Sequence, residues 1–98
     1  MTINKKEQGT ELEISLSGRL DSVTAPQLEA ELANSIQGVT ALTLDFAGLE
    51  YLSSAGLRVL LGAQKAMNKQ GGMVVRHVNE TSMEVFEITG FSDILTIE

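Results

Sequence analysis

The chain has few of the reactive and metal-binding side chains on which many enzymes and metalloproteins depend. Its 98 residues include no cysteine, no tryptophan, one proline and one histidine. The absence of cysteine excludes disulfides, thiolate catalysis and cysteine-bound metals, and it fits a reducing compartment. The histidine and the carboxylates show no metal-ligand spacing. We therefore predict a protein without a metal ion.

Long apolar runs are missing as well. No stretch approaches the ~18 apolar residues that a membrane-spanning helix requires. Lys5 and Lys6 are not followed by the apolar segment of a secretory signal peptide. We expect a cytoplasmic protein that does not insert into a membrane.

Basic residues are scarce relative to acidic ones. Seven lysines and arginines stand against 13 aspartates and glutamates, so the net charge at pH 7 is −6. Nucleic acids and anionic membrane surfaces both attract proteins with a basic face. The charge balance argues against both partners, and it leaves open a protein partner that carries a basic patch.

Apolar residues, in contrast, are abundant and periodic. They make up 43% of the chain, and a chain of this length has room for one core, so we treat residues 1–98 as one domain. Alternation predicts strands at 3–6, 12–16, 42–46, 73–78 and 94–97. Helical spacing predicts helices between Thr24 and Gly38, over 54–69, and from a cap at Asn79 or Thr81 to Gly90.

The order of these elements predicts the fold class. Successive strand–helix–strand units give right-handed crossovers and parallel strands, whereas the first two strands form an antiparallel hairpin. We expect an α/β domain with a mostly parallel sheet of four or five strands, one antiparallel edge strand, and helices packed mainly on one face. Residues 18–23 and 48–52 are predicted as loops, and Thr24 with Gln27 as a capping box.

A catalytic site is not indicated. A serine hydrolase needs a base near its nucleophile, and the only imidazole, His77, has nothing to direct it at Ser54. Ser54 also lacks the preceding glycine of a nucleophile elbow. The Gly71–Gly72 pair follows a helix, whereas a Walker loop follows a strand. We predict no catalytic residue, no cofactor and no small-molecule substrate.

The most informative residues are the adjacent Ser53 and Ser54. They open an apolar helix, where unpaired N–H groups and the helix dipole favour an anion. Small residues follow at Ala55 and Gly56, leaving these N–H groups approachable. Asp21 follows a strand whose end should lie at the same edge of the sheet. The position suits a helix cap as well as a phosphate, and the residues alone leave both open.

Two motifs resemble a known family. Leu44-Asp45-Phe46 and the later Leu49-Glu50-Tyr51-Leu52-Ser53-Ser54-Ala55-Gly56-Leu57 are similar to the signature of STAS domains, the anti-sigma factor antagonists of bacterial partner switching. The segment Gly18-Arg19-Leu20-Asp21 resembles the family's Gly-x-Leu-Asp loop, and Gly90-Phe91 resembles its late turn. The resemblance covers nearly the whole chain in the same order of elements.

This resemblance implies a non-catalytic switch protein. In the family, the serine two residues before the glycine is phosphorylated by an anti-sigma factor that is itself an ATP-using serine kinase, and a serine phosphatase reverses the step. Ser54 occupies that position, with Ser53 as a competing acceptor. Asp21 and Asp45 are implied to lie close to the phosphoacceptor. The implied partner surface comprises Asp21, Ser22, Thr24, Asp45, Ser53, Ser54, Ala55, Gly56 and Arg58.

One departure from the family pattern keeps other hypotheses open. The usual Asp-Ser-Ser/Thr-Gly is Ser53-Ser54-Ala55-Gly56 in this chain, which removes a charge from the loop that faces the kinase. A second hypothesis is therefore a STAS module that serves as a constitutive accessory subunit of a larger complex, with Ser54 as a helix cap. A third is a sensor of a small ligand or nucleotide, which rests only on the general physics of helix N-termini.

Overall fold

The computed structural model describes all 98 residues, and its elements follow the predicted order. They are β1 (Thr2–Gln8), β2 (Glu11–Leu20), α1 (Ala25–Ser35), β3 (Ala41–Leu52), α2 (Ser54–Asn68), β4 (Gly72–Arg76) and α3 (Glu80–Thr89), with a 3₁₀ turn at Phe91–Asp93. The sheet order is β1-β2-β3-β4, antiparallel between β1 and β2 and parallel elsewhere. The α/β class and the antiparallel edge strand are confirmed. No helix combines the length and the apolar character needed to cross a bilayer.

The helices cover one face of the sheet. Side chains alternate along a strand, so Leu44 and Phe46 of β3 are fully buried while Asp45 between them points to the other face. The buried apolar side chains form a single cluster of 22 residues. Within it, the ring of Phe46 lies 6.4 Å from the ring of Phe86 on α3. The opposite face carries polar, half-buried side chains in the central strands, among them Glu13, Ser15, Thr43 and Asp45.

Residues 48–52 of one predicted loop and residues 18–20 of the other are strand in the structure, whereas residues 21–23 form the predicted loop. β2 continues to Leu20 and β3 to Leu52, and their pairing shifts register twice on the way, after Ser15 and after Gly18. These irregularities interrupt the alternation of apolar residues, which is why the pattern indicated a loop. The strands approach so closely that a Cβ on Gly48 would lie 2.8 Å from the Cβ of Ser17.

The C-terminal segment forms less sheet than predicted. The strand expected at 94–97 is a single bridge between Val75 and Ile97. β4 ends at Arg76 instead of residue 78, because His77 adopts a left-handed backbone with φ 57°. The α3 boundaries are confirmed: the Asn79 side chain accepts a hydrogen bond from the Ser82 backbone N–H, and Gly90 ends the helix with φ 81°.

Candidate functional site

The start of α2 and the loop after β2 lie together at one edge of the sheet. The Ser53 backbone N–H donates to the Leu20 carbonyl oxygen over 2.9 Å, and the Leu57 N–H donates to the Ser53 carbonyl oxygen over 3.0 Å to open the helix. Because β2 and β3 are parallel, the segments that follow them emerge at the same edge. The expected proximity of the Asp21 loop and the first turn of α2 is confirmed.

Gly56 determines how closely α2 approaches the sheet. A Cβ at this position would lie 2.7 Å from Cγ of Leu20 and 2.8 Å from Cδ1 of Leu52. The glycine is buried, so its role differs from the predicted one of leaving N–H groups approachable. It lets the first turn of the helix pack directly on the ends of β2 and β3.

The two serines have different environments. Ser54 is the first residue of α2 and is exposed. Ser53 has an extended backbone, with φ −102° and ψ 175°, and its side chain makes no capping hydrogen bond. The Ser53 hydroxyl oxygen is buried without a partner. Ser53 therefore occupies the N-cap position of α2 without a side-chain cap, and of the two serines only Ser54 presents its side chain to solvent.

Asp21 organises the loop before α1. Its Oδ1 accepts hydrogen bonds from the backbone N–H groups of Val23 and Thr24, at 3.0 and 3.1 Å. The Thr24 N–H makes the largest contribution to lowering the pKa of the Asp21 carboxyl below its usual value, and Val23 adds to it. The loop therefore presents an ionised carboxylate beside the start of α2.

The predicted capping box at Thr24 is wrong. Thr24 has a helical backbone, with φ −94° and ψ −20°, and its side chain makes no capping bond. Its hydroxyl instead donates to the Arg19 carbonyl oxygen over 2.7 Å and accepts from the Asp21 N–H over 2.9 Å. Thr24 thus ties the loop back to the end of β2, while the Asp21 carboxylate accepts from the N–H groups of the turn.

An arginine and a tyrosine that the sequence analysis did not single out border the site. The Arg19 guanidinium lies 4.2 Å from the centre of the Tyr51 ring, and its Nε lies 3.5 Å from Oδ2 of Asp21. Arg19 and Tyr51 are cross-strand neighbours in the shifted register of β2 and β3. No local sequence signal marks this pair. Both residues fall in segments that the sequence predicts as loops, so no strand pairing between them is expected.

Three further predicted residues line the mouth of a groove between α1 and α2. Ser22, Ala55 and Arg58 border a cavity of about 190 Å³ there. Ser22 and Arg58 are exposed, and Ala55 packs against the edge of the core. The structure therefore gathers Asp21, Ser22, Thr24, Ser53, Ser54, Ala55, Gly56 and Arg58 at one end of the molecule.

Asp45 does not belong to this group. It pairs with Ser15, five residues before Leu20 on β2, which corresponds to roughly 17 Å along the strand. Its Oδ1 accepts from the Ala47 N–H over 2.9 Å and lies 2.9 Å from Nδ1 of His77. The Ala47 N–H is the main cause of the lowered pKa of Asp45, with His77 contributing. The expectation that Asp45 lies near the phosphoacceptor loop is wrong, because β3 runs on to Leu52.

Comparison with known proteins agrees with this architecture. A family model described as "Mlab, STAS domain" matches residues 3–96. BtrV of Bordetella bronchiseptica, provisionally named an anti-sigma factor antagonist, is 43% identical over 84 residues, covering 84% of this chain and 72% of its own. The anti-sigma-B factor antagonist of Listeria monocytogenes is 32% identical over 101 residues, covering 100% of this chain and 89% of its own.

A solved structure gives the same result in three dimensions. The crystal structure of an anti-sigma factor antagonist from Mycobacterium paratuberculosis superimposes with a TM-score of 0.89 at 26% identity, covering 98% of this chain and 83% of its own. An antagonist of an anti-sigma factor acts by binding, so these names agree with the prediction of a binding protein and no enzyme. The match over residues 3–96, the sequence similarity and the shared fold show that the chain belongs to the STAS domain family.

Proposed function

We propose that the chain is an anti-sigma factor antagonist whose partner is an ATP-using serine-kinase anti-sigma factor, and that phosphorylation of Ser54 by this partner releases it. The names of its relatives support the antagonist role. The observation that supports the phosphorylation switch is the exposed side chain of Ser54 at the start of α2, beside the Asp21 loop. A serine phosphatase would return the protein to its binding state in the cytoplasm.

Access to the hydroxyl group favours Ser54 over Ser53 as the acceptor. In the proposed step, the Ser54 hydroxyl oxygen takes the γ-phosphoryl group of ATP, its proton leaves, and ADP is the other product. This transfer requires an oxygen that the kinase can reach. The Ser53 hydroxyl oxygen is buried, and the Ser53 backbone N–H donates a hydrogen bond to the Leu20 carbonyl oxygen. Phosphorylation of Ser53 would require that edge of the domain to open.

The proposed release is electrostatic and steric. A phosphate adds about −1.5 to −2 charges, and it would stand on a surface where Asp21 is already ionised. Like-charge repulsion and the cost of removing water from the phosphate both oppose burial of this surface in a complex. A penalty of only ~3 kcal/mol weakens binding by about two orders of magnitude, which is enough to exchange partners.

Calorimetric titration tests the proposal. Each ATP-binding serine-kinase anti-sigma factor encoded in the source genome is purified and titrated with wild type, Ser54→Ala and Ser54→Asp. We expect wild type and Ser54→Ala to bind one kinase equally and Ser54→Asp to bind it about 100-fold more weakly. With ATP, mass spectrometry should find phosphate on Ser54 of the wild type and none on Ser54→Ala.

Thr81→Asp is the matched control. Thr81 is also an exposed hydroxyl in the first turn of a helix, α3, so it receives the same charge in a similar position away from the proposed surface. We expect it to bind like wild type. Equal binding of Ser54→Ala and Ser54→Asp would refute the phosphorylation switch and would favour a constitutive accessory subunit. Absence of binding to every such kinase would refute the antagonist role itself.

A further inference from the structure

Two arginines border the candidate site, and only one of them is already bound. The Arg19 guanidinium lies over the Tyr51 ring, and its Nε lies 3.5 Å from Oδ2 of Asp21. Arg58 is exposed, and none of the four ion pairs of the chain includes it. Arg58 is therefore the cation at this site that is free to bind an anion.

Arg58 lies one helical turn after Ser54. Both residues are exposed and stand four apart in α2, and residues at this spacing are neighbours on one helix face, with about 5–6 Å between their Cβ atoms. Side chains of a helix lean towards its N-terminus, so the stem of Arg58 extends towards the turn that begins with Ser54. Arg58 lines one cavity together with Ala55 of that first turn, which agrees with this direction.

A phosphate on Ser54 would form a favourable pair with Arg58. In a helix, an acidic group four residues before a basic group is the better of the two orders. A phosphate carries about −1.5 to −2 charges and three acceptor oxygens, and a planar guanidinium can donate two parallel hydrogen bonds to it. Hydrogen bonds between ionised groups are roughly twice as strong as those between neutral groups.

The charged side chains on the neighbouring segments are acidic, apart from Arg19. The Asp21 carboxylate follows β2 and is the ion-pair partner of Arg19. Glu29 lines the cavities between α1 and α2, and Glu50 is exposed near the end of β3. Carboxylates repel a phosphate, so a stabilising contact for a phosphate on Ser54 has to come from α2 itself.

We propose that Arg58 binds the phosphate of phosphorylated Ser54 within the same chain. This inference rests on the proposed function and adds to it the state of the released protein. The pair partly neutralises the phosphate in the free protein, which opposes the repulsion from Asp21. Arg58 also belongs to the predicted partner surface. Phosphorylation therefore changes that surface in two ways, because it adds an anion and occupies a free cation.

A titration followed by phosphorus NMR tests the pair. Phosphoserine is incorporated at position 54 during translation, so the sample does not depend on finding the kinase. The second pKa of the phosphate, ordinarily about 6, is measured in the wild-type background, in Arg58→Gln and in Lys65→Gln. A nearby cation favours the dianion and lowers this pKa. We expect a pKa that is higher by roughly 0.3 or more in Arg58→Gln, with a smaller difference at high salt.

Lys65→Gln is the matched control. It removes the same charge from the same helix, about three turns or roughly 16 Å from Ser54 along the axis. The pKa of the phosphate should therefore be the same as in the wild-type background. Arg58→Lys keeps the charge and loses the planar fork, so its phosphate pKa should lie between those of the wild-type background and Arg58→Gln.

Stability supplies a second readout, which a merely structural role of Arg58 would not move. Melting temperatures are measured with and without the phosphate on Ser54, in the wild-type background and in Arg58→Gln. This cycle isolates the interaction between the phosphate and Arg58, because a structural effect of the substitution is the same in both forms. We expect the phosphate to make the melting temperature more favourable when Arg58 is present than when it is replaced.

The outcomes separate this pair from the switch at Ser54. An unchanged phosphate pKa in Arg58→Gln, together with weak kinase binding of Ser54→Asp, would overturn the pair and leave the proposed function intact. A raised pKa in Arg19→Gln and an unchanged one in Arg58→Gln would make Arg19 the partner of the phosphate, and it would also overturn the proposal. Absence of phosphate from Ser54 after incubation with every such kinase and ATP would overturn the proposed function, and with it the role of the pair in the released protein.

Discussion

The backbone N–H of Ser53 donates to the carbonyl oxygen of Leu20 over 2.9 Å, and the Leu20 side chain occupies the space that a Cβ of Gly56 would need. One hydrogen bond and one packing contact thus attach the start of α2 to the end of β2. The Ser53 side chain makes no capping bond there. The position of the Ser54 hydroxyl therefore depends on the packing of the core beneath it.

Gly56→Ala should destabilise the protein by about 1–3 kcal/mol, because the added methyl group overpacks the contact with Leu20 and Leu52. Gly62→Ala makes the same change in the same helix, where the methyl group meets nothing within 4 Å. This control should gain up to about 1 kcal/mol from helix propensity. Urea unfolding measures both, and equal stability of Gly56→Ala and wild type would contradict the close packing of Gly56 on Leu20 and Leu52.

Asp21→Asn should lower stability in a pH-dependent way. The pKa of Asp21 is lowered in the folded state, chiefly by the Thr24 N–H, so the ionised carboxylate stabilises the fold above the unfolded pKa of about 4. That contribution is lost as the pH falls from about 4 towards the folded pKa. At about pH 7 the free energy of unfolding should be higher for wild type than for Asp21→Asn. At about pH 3 this difference should be smaller. A difference that stays constant over this range would contradict the assignment.

Asp45→Asn should reduce stability and leave affinity for the anti-sigma factor within about twofold of wild type. Asp45 contacts the Ala47 N–H and His77 on the polar face of the sheet, away from Ser54. Asp21→Asn, whose side chain lies in the proposed surface, is the comparison and should bind more weakly. Calorimetric titration measures both variants. If Asp45→Asn lost as much affinity for the anti-sigma factor as Asp21→Asn, Asp45 would belong to the interface.

Asn79→Ala should cost about 1–2 kcal/mol of stability, since Asn79 Oδ1 accepts from the Ser82 N–H. The amide also donates from Nδ2 to the Leu49 carbonyl oxygen over 3.0 Å. Asn79→Asp keeps the acceptor and loses the donor, so it should lie between wild type and Asn79→Ala. Thermal and urea unfolding measure the series. Thr81→Ala, an exposed neighbour, should change stability by no more than about 0.5 kcal/mol.

The sequence by itself determined the class of fold and the location of the candidate site. Alternation in Leu42, Leu44 and Phe46 and helical spacing in α1 and α2 are local patterns, so they predict strands and helices without knowledge of the rest of the chain. Parallel strands bring the segments that follow them to one edge, so the proximity of Asp21 and Ser54 also followed from the order of the elements.

The tertiary structure alone decided the details on which function depends. The shifted register of β2 and β3 extends both strands, pairs Arg19 with Tyr51 and separates Asp45 from the site. Burial of the Ser53 hydroxyl and packing of Gly56 on Leu20 are likewise properties of contacts between distant segments. A local pattern reports which face of an element is apolar, whereas strand register and approach distance depend on residues that meet only after folding.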